Sequence, residues 1–100
     1  MSFRIEWDQS KEIATLWMEM EGGVNKINPT FGEGFNAAIT AVLETTTLKG
    51  LIITSGHKDF CVGADIDFVY QTRDVPTLYE DLGRLHEGLR MLETCGKPVV

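Results

Sequence analysis

The sequence predicts an α/β unit whose parallel sheet is begun but not finished. Three observations predict it. Phe3, Ile5 and Trp7 alternate with Arg4, Glu6 and Asp8 at the period of a half-buried strand. Phe31, Phe35, Ala38, Ile39, Val42 and Leu43 recur at i, i+4, i+7, i+8, i+11 and i+12, the spacing of a helix with one apolar face. Leu51-Ile52-Ile53 is continuously apolar, as in a strand buried on both faces. The order strand, strand, helix, strand, helix and strand start is that of an α/β fold.

The first element is the strand from Phe3 to Trp7, closed by the turn residues Asp8-Gln9-Ser10-Lys11. Its partner runs from Ile13 to Met20, with Leu16, Met18 and Met20 on one face and Ile13 and Trp17 on the other, and Glu21-Gly22-Gly23 stops it. Val24 to Ile27 reads as a short extended stretch. The helix then starts either at Asn28-Pro29, an N-cap followed by proline at the first helical position, or at a capping box of Thr30 with Glu33. Thr45-Thr46-Thr47 ends it, because β-branched residues lose side-chain freedom in a helix, and Gly50 to Thr54 is the buried strand.

Asp59 to Ala64 has no periodicity, and a short helical turn is expected over Asp65 to Tyr70, broken by Arg73-Asp74-Val75-Pro76. Thr77 with Glu80 forms a second capping box, and Leu78, Leu82, Leu85, Leu89 and Leu92 mark a helix ending near Cys95-Gly96. Pro98 opens a further strand, but Val99 and Val100 are expected to be cut off before they pair with anything. The expectation is a single domain over residues 1–100, truncated at the start of a strand.

Composition narrows the function. Hydrophobic residues at 43% and charged residues at 24% describe a soluble globular protein, not a disordered or repetitive one. Fifteen acidic residues against 9 basic ones give a net charge of −6, and the basic residues are scattered, which argues against nucleic acid as a partner. Leu51-Ile52-Ile53 is too short to span a bilayer and the first residues do not resemble a signal peptide, so the protein is expected in the cytoplasm and away from membranes. Cys61 and Cys95 have no Cys-x-x-Cys spacing and only His57 and His86 to assist them, so neither a zinc site nor a disulfide framework is indicated.

Phosphate loops, dinucleotide fingerprints, zinc-protease motifs and nucleophile elbows are all absent from the sequence. What remains is the junction where the buried strand runs through a loop into Cys61-Val62-Gly63-Ala64-Asp65-Ile66, with a helix expected to begin at Asp65. Ligands of open α/β folds bind at such junctions. Backbone N–H groups at a helix start lack intrahelical partners and suit an oxyanion, and Gly63-Ala64 would let a thioester or carboxylate oxygen come close. Taken alone, Gly-Ala at a strand-to-helix junction is more often a tight turn.

The stretch Lys49-Gly50-Leu51-Ile52-Ile53-Thr54-Ser55-Gly56-His57-Lys58-Asp59-Phe60-Cys61-Val62-Gly63-Ala64-Asp65-Ile66 resembles the core signature of the crotonase, or enoyl-CoA hydratase/isomerase, superfamily. The N-terminal hairpin, the Asn-bearing segment Val24 to Asn28 and Gly96-Lys97-Pro98-Val99 fit the same pattern, so the similarity covers essentially the whole chain. Gly23-Val24-Asn25-Lys26 and Thr54-Ser55-Gly56 are most like the hydratase half of bifunctional fatty-acid-oxidation alpha subunits, where monofunctional hydratases usually show Asn-Ala-Leu at the first position.

That resemblance implies the N-terminal portion of a ClpP/crotonase-like ββα spiral. It implies an enzyme that adds water to a trans-2-enoyl-CoA in fatty-acid β-oxidation. The backbone N–H of Ala64 would be one of two oxyanion donors to the acyl thioester, with Val62, Gly63, Asp65, Ile66, Asp67 and Lys26 binding substrate. The second donor and two proton-transferring glutamates would lie beyond Val100, so the 100-residue chain itself is expected to be inactive. The hydratase reaction would need no cofactor, coenzyme A being part of the substrate. The full-length parent would form a homo-oligomer or a complex with a thiolase subunit, and a 3-hydroxyacyl-CoA dehydrogenase region could follow.

The same residues have plainer readings. Lys26 lies where the family runs beside the coenzyme's phosphates, yet an exposed lysine on an acidic protein is as readily a solvated one. Asp65 and Asp67 are better read as helix N-cap and first-turn residue than as a metal pair. His57 and His86 have no paired nucleophile and are read as non-catalytic; Cys61 lies beside the junction, but many family members carry Ala or Ile there. An enoyl-CoA isomerase, an acyl-CoA thioester hydrolase or a non-catalytic α/β interaction module are the alternatives.

Overall fold

The computed structural model describes residues 2–71 and 74–100. The alternating N-terminal segment forms the expected hairpin: β1 (Phe3–Trp7) pairs antiparallel with β2 (Ile13–Met18), placing Ile5 opposite Leu16. Asp8 builds the turn. Its Oδ1 accepts the N–H groups of Ile13 and Glu12 at 3.0 and 2.8 Å and its Oδ2 accepts the Ser10 hydroxyl at 2.7 Å, so backbone donors left over by the turn find an acceptor. The Ile13 N–H, then Ser10, hold the Asp8 carboxyl below its ordinary pKa. β2 stops at Met18 rather than Met20, because the Met20 N–H turns to the Asn25 side chain instead of to a neighbouring strand.

Helix α1 (Pro29–Leu43) starts at the first of the two expected caps: Asn28 Oδ1 accepts the Phe31 N–H at 2.9 Å and Pro29 occupies the first turn. The chain then enters β3 (Gly50–Ser55), parallel to β2 with Leu51 beside Ala14 and Ile53 beside Leu16, giving the sheet order β1-β2-β3. Ala14, Leu16, Met18 and Leu51 on one face of the sheet bury themselves with Phe31, Phe35, Ile39 and Val42 of α1. Phe31 stacks on Phe35 with centroids 5.1 Å apart, and Phe3 of β1 meets both rings edge-on, an arrangement that favours aromatic quadrupoles.

Strand β3 differs from expectation on its other face. Ile52 is 41% exposed and Ile13 on the same face is 38% exposed, so β3 is not buried on both faces. The continuous apolar run reflects what β3 is able to cover, and among the described residues only one layer of helices packs on the sheet. The chain end differs too. Val99 does pair: it bridges Leu51 in parallel, with Leu51 N–H to Pro98 C=O at 3.0 Å and Ile53 N–H to Val100 C=O at 2.8 Å, so three residues suffice to extend the sheet edge.

The second helical segment is α2 (Ile66–Gln71), one residue later at each end than expected, because Asp65 stands outside as its cap. Helix α3 (Val75–Thr94) begins earlier than the Thr77/Glu80 capping box would allow. That box does not form: Asp74 is the N-cap, the Thr77 hydroxyl donates to its carboxylate, and Pro76 sits in the first turn, where its missing N–H costs nothing. Arg73, expected in the break before this helix, lies outside the described residues. Gly96, with φ +76°, follows the helix end.

Of the leucine stripe on α3, Leu85 and Leu92 pack against the core, whereas Leu82 and Leu89 remain about half exposed. α3 packs on α1 at buried Gly88, where a Cβ would collide with the Asn36 side chain, itself held by a 2.7 Å bond from Nδ2 to Arg84 C=O. Gly88→Ala is therefore expected to lower stability by about 1 kcal/mol: overpacking of roughly 1–3 kcal/mol outweighs a helix-propensity gain of about 1 kcal/mol. Asn36→Ala in the same chain removes the obstacle, so the double variant should recover most of the loss in urea melts. Equal losses for the single and double variants would contradict the collision.

Candidate functional site

The junction singled out in the sequence is built from two extended segments. Residues 25–27 run parallel to residues 62–65: Val62 N–H donates to Asn25 C=O at 3.0 Å, Ile27 N–H to Gly63 C=O at 2.8 Å, and Asp65 N–H to Ile27 C=O at 3.0 Å. In such a pairing successive residues face opposite ways. Gly63 and Asp65 turn their bonding groups toward Ile27, so the Ala64 N–H points away, and among the described residues it has no hydrogen-bond partner. The Asn25 and Ile27 carbonyls, two residues apart, meet N–H groups three residues apart. One extra residue is thus taken up at Gly63, whose φ of +99° is the backbone freedom that a bulge of this kind uses. A Cβ at Gly63 would touch nothing within 4 Å, so glycine is required by conformation, not by space.

Asp65 and Asn28 lock this junction to both helices. Asp65 Oδ1 accepts the N–H groups of Asp67 and Phe68 at the start of α2, and its Oδ2 accepts Asn28 Nδ2 at 3.2 Å, while Asn28 Oδ1 caps α1. The bond from Asn28 first, and the nearby Lys26 charge among the lesser causes, hold the Asp65 carboxyl below its ordinary pKa. This changes the physical account of the site. The Asp67 and Phe68 amides at the start of α2, expected to face an oxyanion, are taken by Asp65; the Ala64 N–H is left available, and strand alternation makes it so.

A pH dependence follows from that lowered pKa. The stabilisation from ionised Asp65 is complete above its unfolded value of about 3.8 and is lost as pH falls through the lower folded value. Asn28→Ala removes the largest cause, so acid unfolding of that variant is expected at higher pH than for the wild type, followed by circular dichroism. Superimposable acid transitions would show that the Asn28–Asp65 bond does not set the shift.

Lys26, Val62, Ala64, Asp65, Ile66 and Asp67 line one open concavity of about 260 Å³, bringing together every sequence-selected site residue except Gly63, which supplies the bend. Ala64 also lines a small apolar cavity of about 70 Å³, with Ile27, Phe68, Leu78 and Leu82 among its walls. Ala64 thus borders both an open concavity that carries charged side chains and an apolar one. Among the described residues no three His, Cys, Asp or Glu side chains come together as metal ligands. Cys61 is half-buried in a separate apolar cavity, and His86 is exposed on α3.

His57 is half-buried, its Nε2 2.7 Å from Met20 C=O and its N–H on Ser55 Oγ at 2.9 Å. Asn25 carries no side-chain role in the sequence reading, yet it is completely buried and bonded to β2, to Ser55 and to Phe60. The only sequence signal is an amide residue inside a short extended stretch, Val24 to Ile27.

No protein-family model matches the chain. Among curated proteins, it is 47% identical over 55 residues to the fatty acid oxidation complex subunit alpha of Acinetobacter baumannii (strain AYE), and 42% identical over 53 residues to that of Idiomarina loihiensis. These alignments cover 54% and 53% of this chain, which spans 8% and 7% of the length of those relatives. Among solved structures, enoyl-CoA hydratase from Mycobacterium smegmatis superposes with a TM-score of 0.88 at 14% identity, over 99% of this chain and 38% of that one. Enoyl-CoA hydratase from Thermoplasma volcanium superposes with a TM-score of 0.86 at 20% identity, again over 99% and 38%. The hairpin, the crossover through α1 and the bulged junction before α2 are therefore the N-terminal portion of the crotonase fold, in a chain that over half its length is similar to the alpha subunit of fatty acid oxidation complexes.

Proposed function

We propose that this chain supplies the thioester-binding half of an enoyl-CoA hydratase site working in fatty-acid β-oxidation. The observation that carries the reading is the unpartnered Ala64 N–H, turned away from Ile27 by the Ile27–Ala64 bridge, in a residue that lines one concavity with Lys26. The thioester carbonyl sits against this donor, and as the double bond is attacked its oxygen takes on enolate charge. A backbone donor fixed beforehand stabilises that charge without reorganising. Val62, Asp65, Ile66 and Asp67 shape the wall, Lys26 faces the anionic coenzyme A portion, and the apolar cavity behind Ala64 receives the start of the acyl chain. No cofactor takes part; coenzyme A belongs to the substrate.

The second oxyanion donor and the carboxylates that move water and proton are contributed by chain beyond residue 100 of the whole enzyme, by resemblance to the superfamily. The name of the curated relatives supports a parent that works in a complex; by resemblance to the superfamily, that parent is proposed to assemble with a thiolase subunit or further copies of itself and to continue into a 3-hydroxyacyl-CoA dehydrogenase region. No helix among the described residues is long and apolar enough to cross a membrane, and a cytoplasmic setting is proposed for the parent.

Crotonyl-CoA added to the ¹⁵N-labelled chain tests this reading. The Ala64 amide proton is expected to move downfield on saturation, free coenzyme A to leave it unmoved, and absorbance to record no hydration by this chain, since the proton-transferring groups are not on it. Crotonyl-CoA shifts confined to residues away from Ala64 would refute the assignment.

A further inference from the structure

We propose that Asn25 is a positioning residue: its buried side chain holds the entering limb of the Gly63 bulge and so fixes the direction of the Ala64 N–H. The consequence for catalysis rests on the thioester reading above; the positioning itself does not.

Asn25 is fully buried, and a buried amide is tolerated only when its polar atoms are satisfied. Its Oδ1 accepts the Met20 N–H at 3.1 Å, and the two hydrogens of Nδ2 face three acceptors: Ser55 Oγ at 2.9 Å, Phe60 C=O at 3.0 Å and Met18 C=O at 3.1 Å. Its own C=O accepts the Val62 N–H. One residue thus joins the end of β2, the end of β3 and the loop that enters the site, and it grips that loop at Phe60 through the side chain and at Val62 through the backbone. Ile27 grips the leaving limb at Gly63 and Asp65. Between these two clamps the chain must accommodate one extra residue, and Gly63 does so at φ +99°.

The residue type follows from the partners. Aspartate keeps the acceptor for Met20 but loses both donors, leucine loses all four contacts, and glutamine adds a methylene to a site with no exposure. Ser55 is the second member of the hub: its hydroxyl donates to Asp59 C=O at 2.8 Å and accepts from His57 N–H and Asn25 Nδ2, so the Gly56–Asp59 turn is wound on the same point. Without the hub the Phe60–Val62 limb is free to relax, the bulge has only one clamp, and the Ala64 amide loses its fixed direction. A network of this kind is stiff when complete and fails locally when one arm is removed.

Amide hydrogen exchange on the full 100-residue chain tests the proposal without any ligand. In Asn25→Ala, protection at Val62, Ile27 and Asp65 is expected to fall by about tenfold or more relative to the core amides of Leu16 and Ile39. Because Asn25→Ala leaves buried partners unsatisfied and can unfold the chain, Ser55→Ala provides the second arm: it removes one acceptor, keeps Asn25, and is expected to produce the same local loss at smaller size. A purely structural role would lower protection uniformly, so equal losses at Leu16, Ile39 and Val62 in Ser55→Ala overturn the proposal, as does unchanged protection at Val62 and Asp65. Adding crotonyl-CoA separates the two readings. If the wild-type Ala64 amide does not respond, thioester binding fails while the exchange result still decides the role of Asn25; if it responds, a smaller response in Ser55→Ala at saturation supports positioning, and an equal one counts against it.

Discussion

Replacing Ala64 by proline in a full-length hydratase that carries this segment is expected to lower turnover by roughly 10²–10³, about 2.7–4 kcal/mol in the barrier, the usual consequence of losing one oxyanion donor. The substitution is well suited to the question because the Ala64 N–H makes no hydrogen bond among the described residues, so proline deletes a donor that the fold does not use. The neighbouring bonds, from Ile27 N–H to Gly63 C=O and from Asp65 N–H to Ile27 C=O, involve other residues. Ala64→Ser keeps the N–H and is expected to retain most of the activity. Circular dichroism on both variants establishes that they are folded before rates are compared. A folded proline variant with wild-type turnover would remove Ala64 from the mechanism.

Leu16→Ala is expected to cost about 2–5 kcal/mol of folding stability, the range for truncating a buried leucine where the surroundings collapse only partly. Leu16 has no exposed surface, stands between Ile5 and Ile53 in the centre of the sheet, and belongs to the core shared with α1. Set against the roughly 5–15 kcal/mol that holds a domain together, this is enough to leave much of the chain unfolded at 37 °C if the wild type lies near the lower end. Ile52→Ala provides the contrast. Its side chain leaves the same sheet on the opposite face and is 41% exposed, so a loss below about 1 kcal/mol is expected. Urea melts of both variants, with unchanged m-values, measure the difference. Similar losses at the two positions would mean that the sheet is covered on both faces in solution.

The contrast between Leu16 and Ile52 also marks where sequence periodicity stops being informative. Alternation in β1 and helical spacing in α1 record which side chains of a segment share a face, and that is a local property; both elements, and the choice of face in β2, follow from it. A continuously apolar strand contains no such asymmetry. Whether Ile52 is covered depends on what packs over it, and the pairing of Val99 with Leu51 depends on the free edge of β3. The capping residues show the same division. Asn28 and Thr30 were equally plausible helix starts by local chemistry, and the structure uses Asn28, whose Nδ2 also reaches Asp65 37 residues away.

For the candidate site, the residues themselves were legible because Gly63-Ala64-Asp65 is a contiguous motif, and five residues between Val62 and Asp67, with Lys26, do line one concavity. The reason the donor is available was not legible. It comes from the pairing of residues 62–65 with residues 25–27, a contact across more than thirty positions that no local pattern announces, and it replaces the helix-terminus explanation that the sequence alone suggests. Asn25 lay outside the reading for the same reason: an asparagine in an extended stretch is ordinarily a surface residue, and only the meeting of β2, β3 and the Phe60 loop around it turns its amide into a buried hub. By itself the sequence determined which segments are strand or helix, which side of most of them is apolar, and where the chemistry-bearing motif lies, because these depend on neighbours within a few residues. The tertiary structure alone decided which apolar faces are covered, which amide remains free and what holds it in place, because each of those is settled by hydrogen bonds and contacts between segments far apart in the chain.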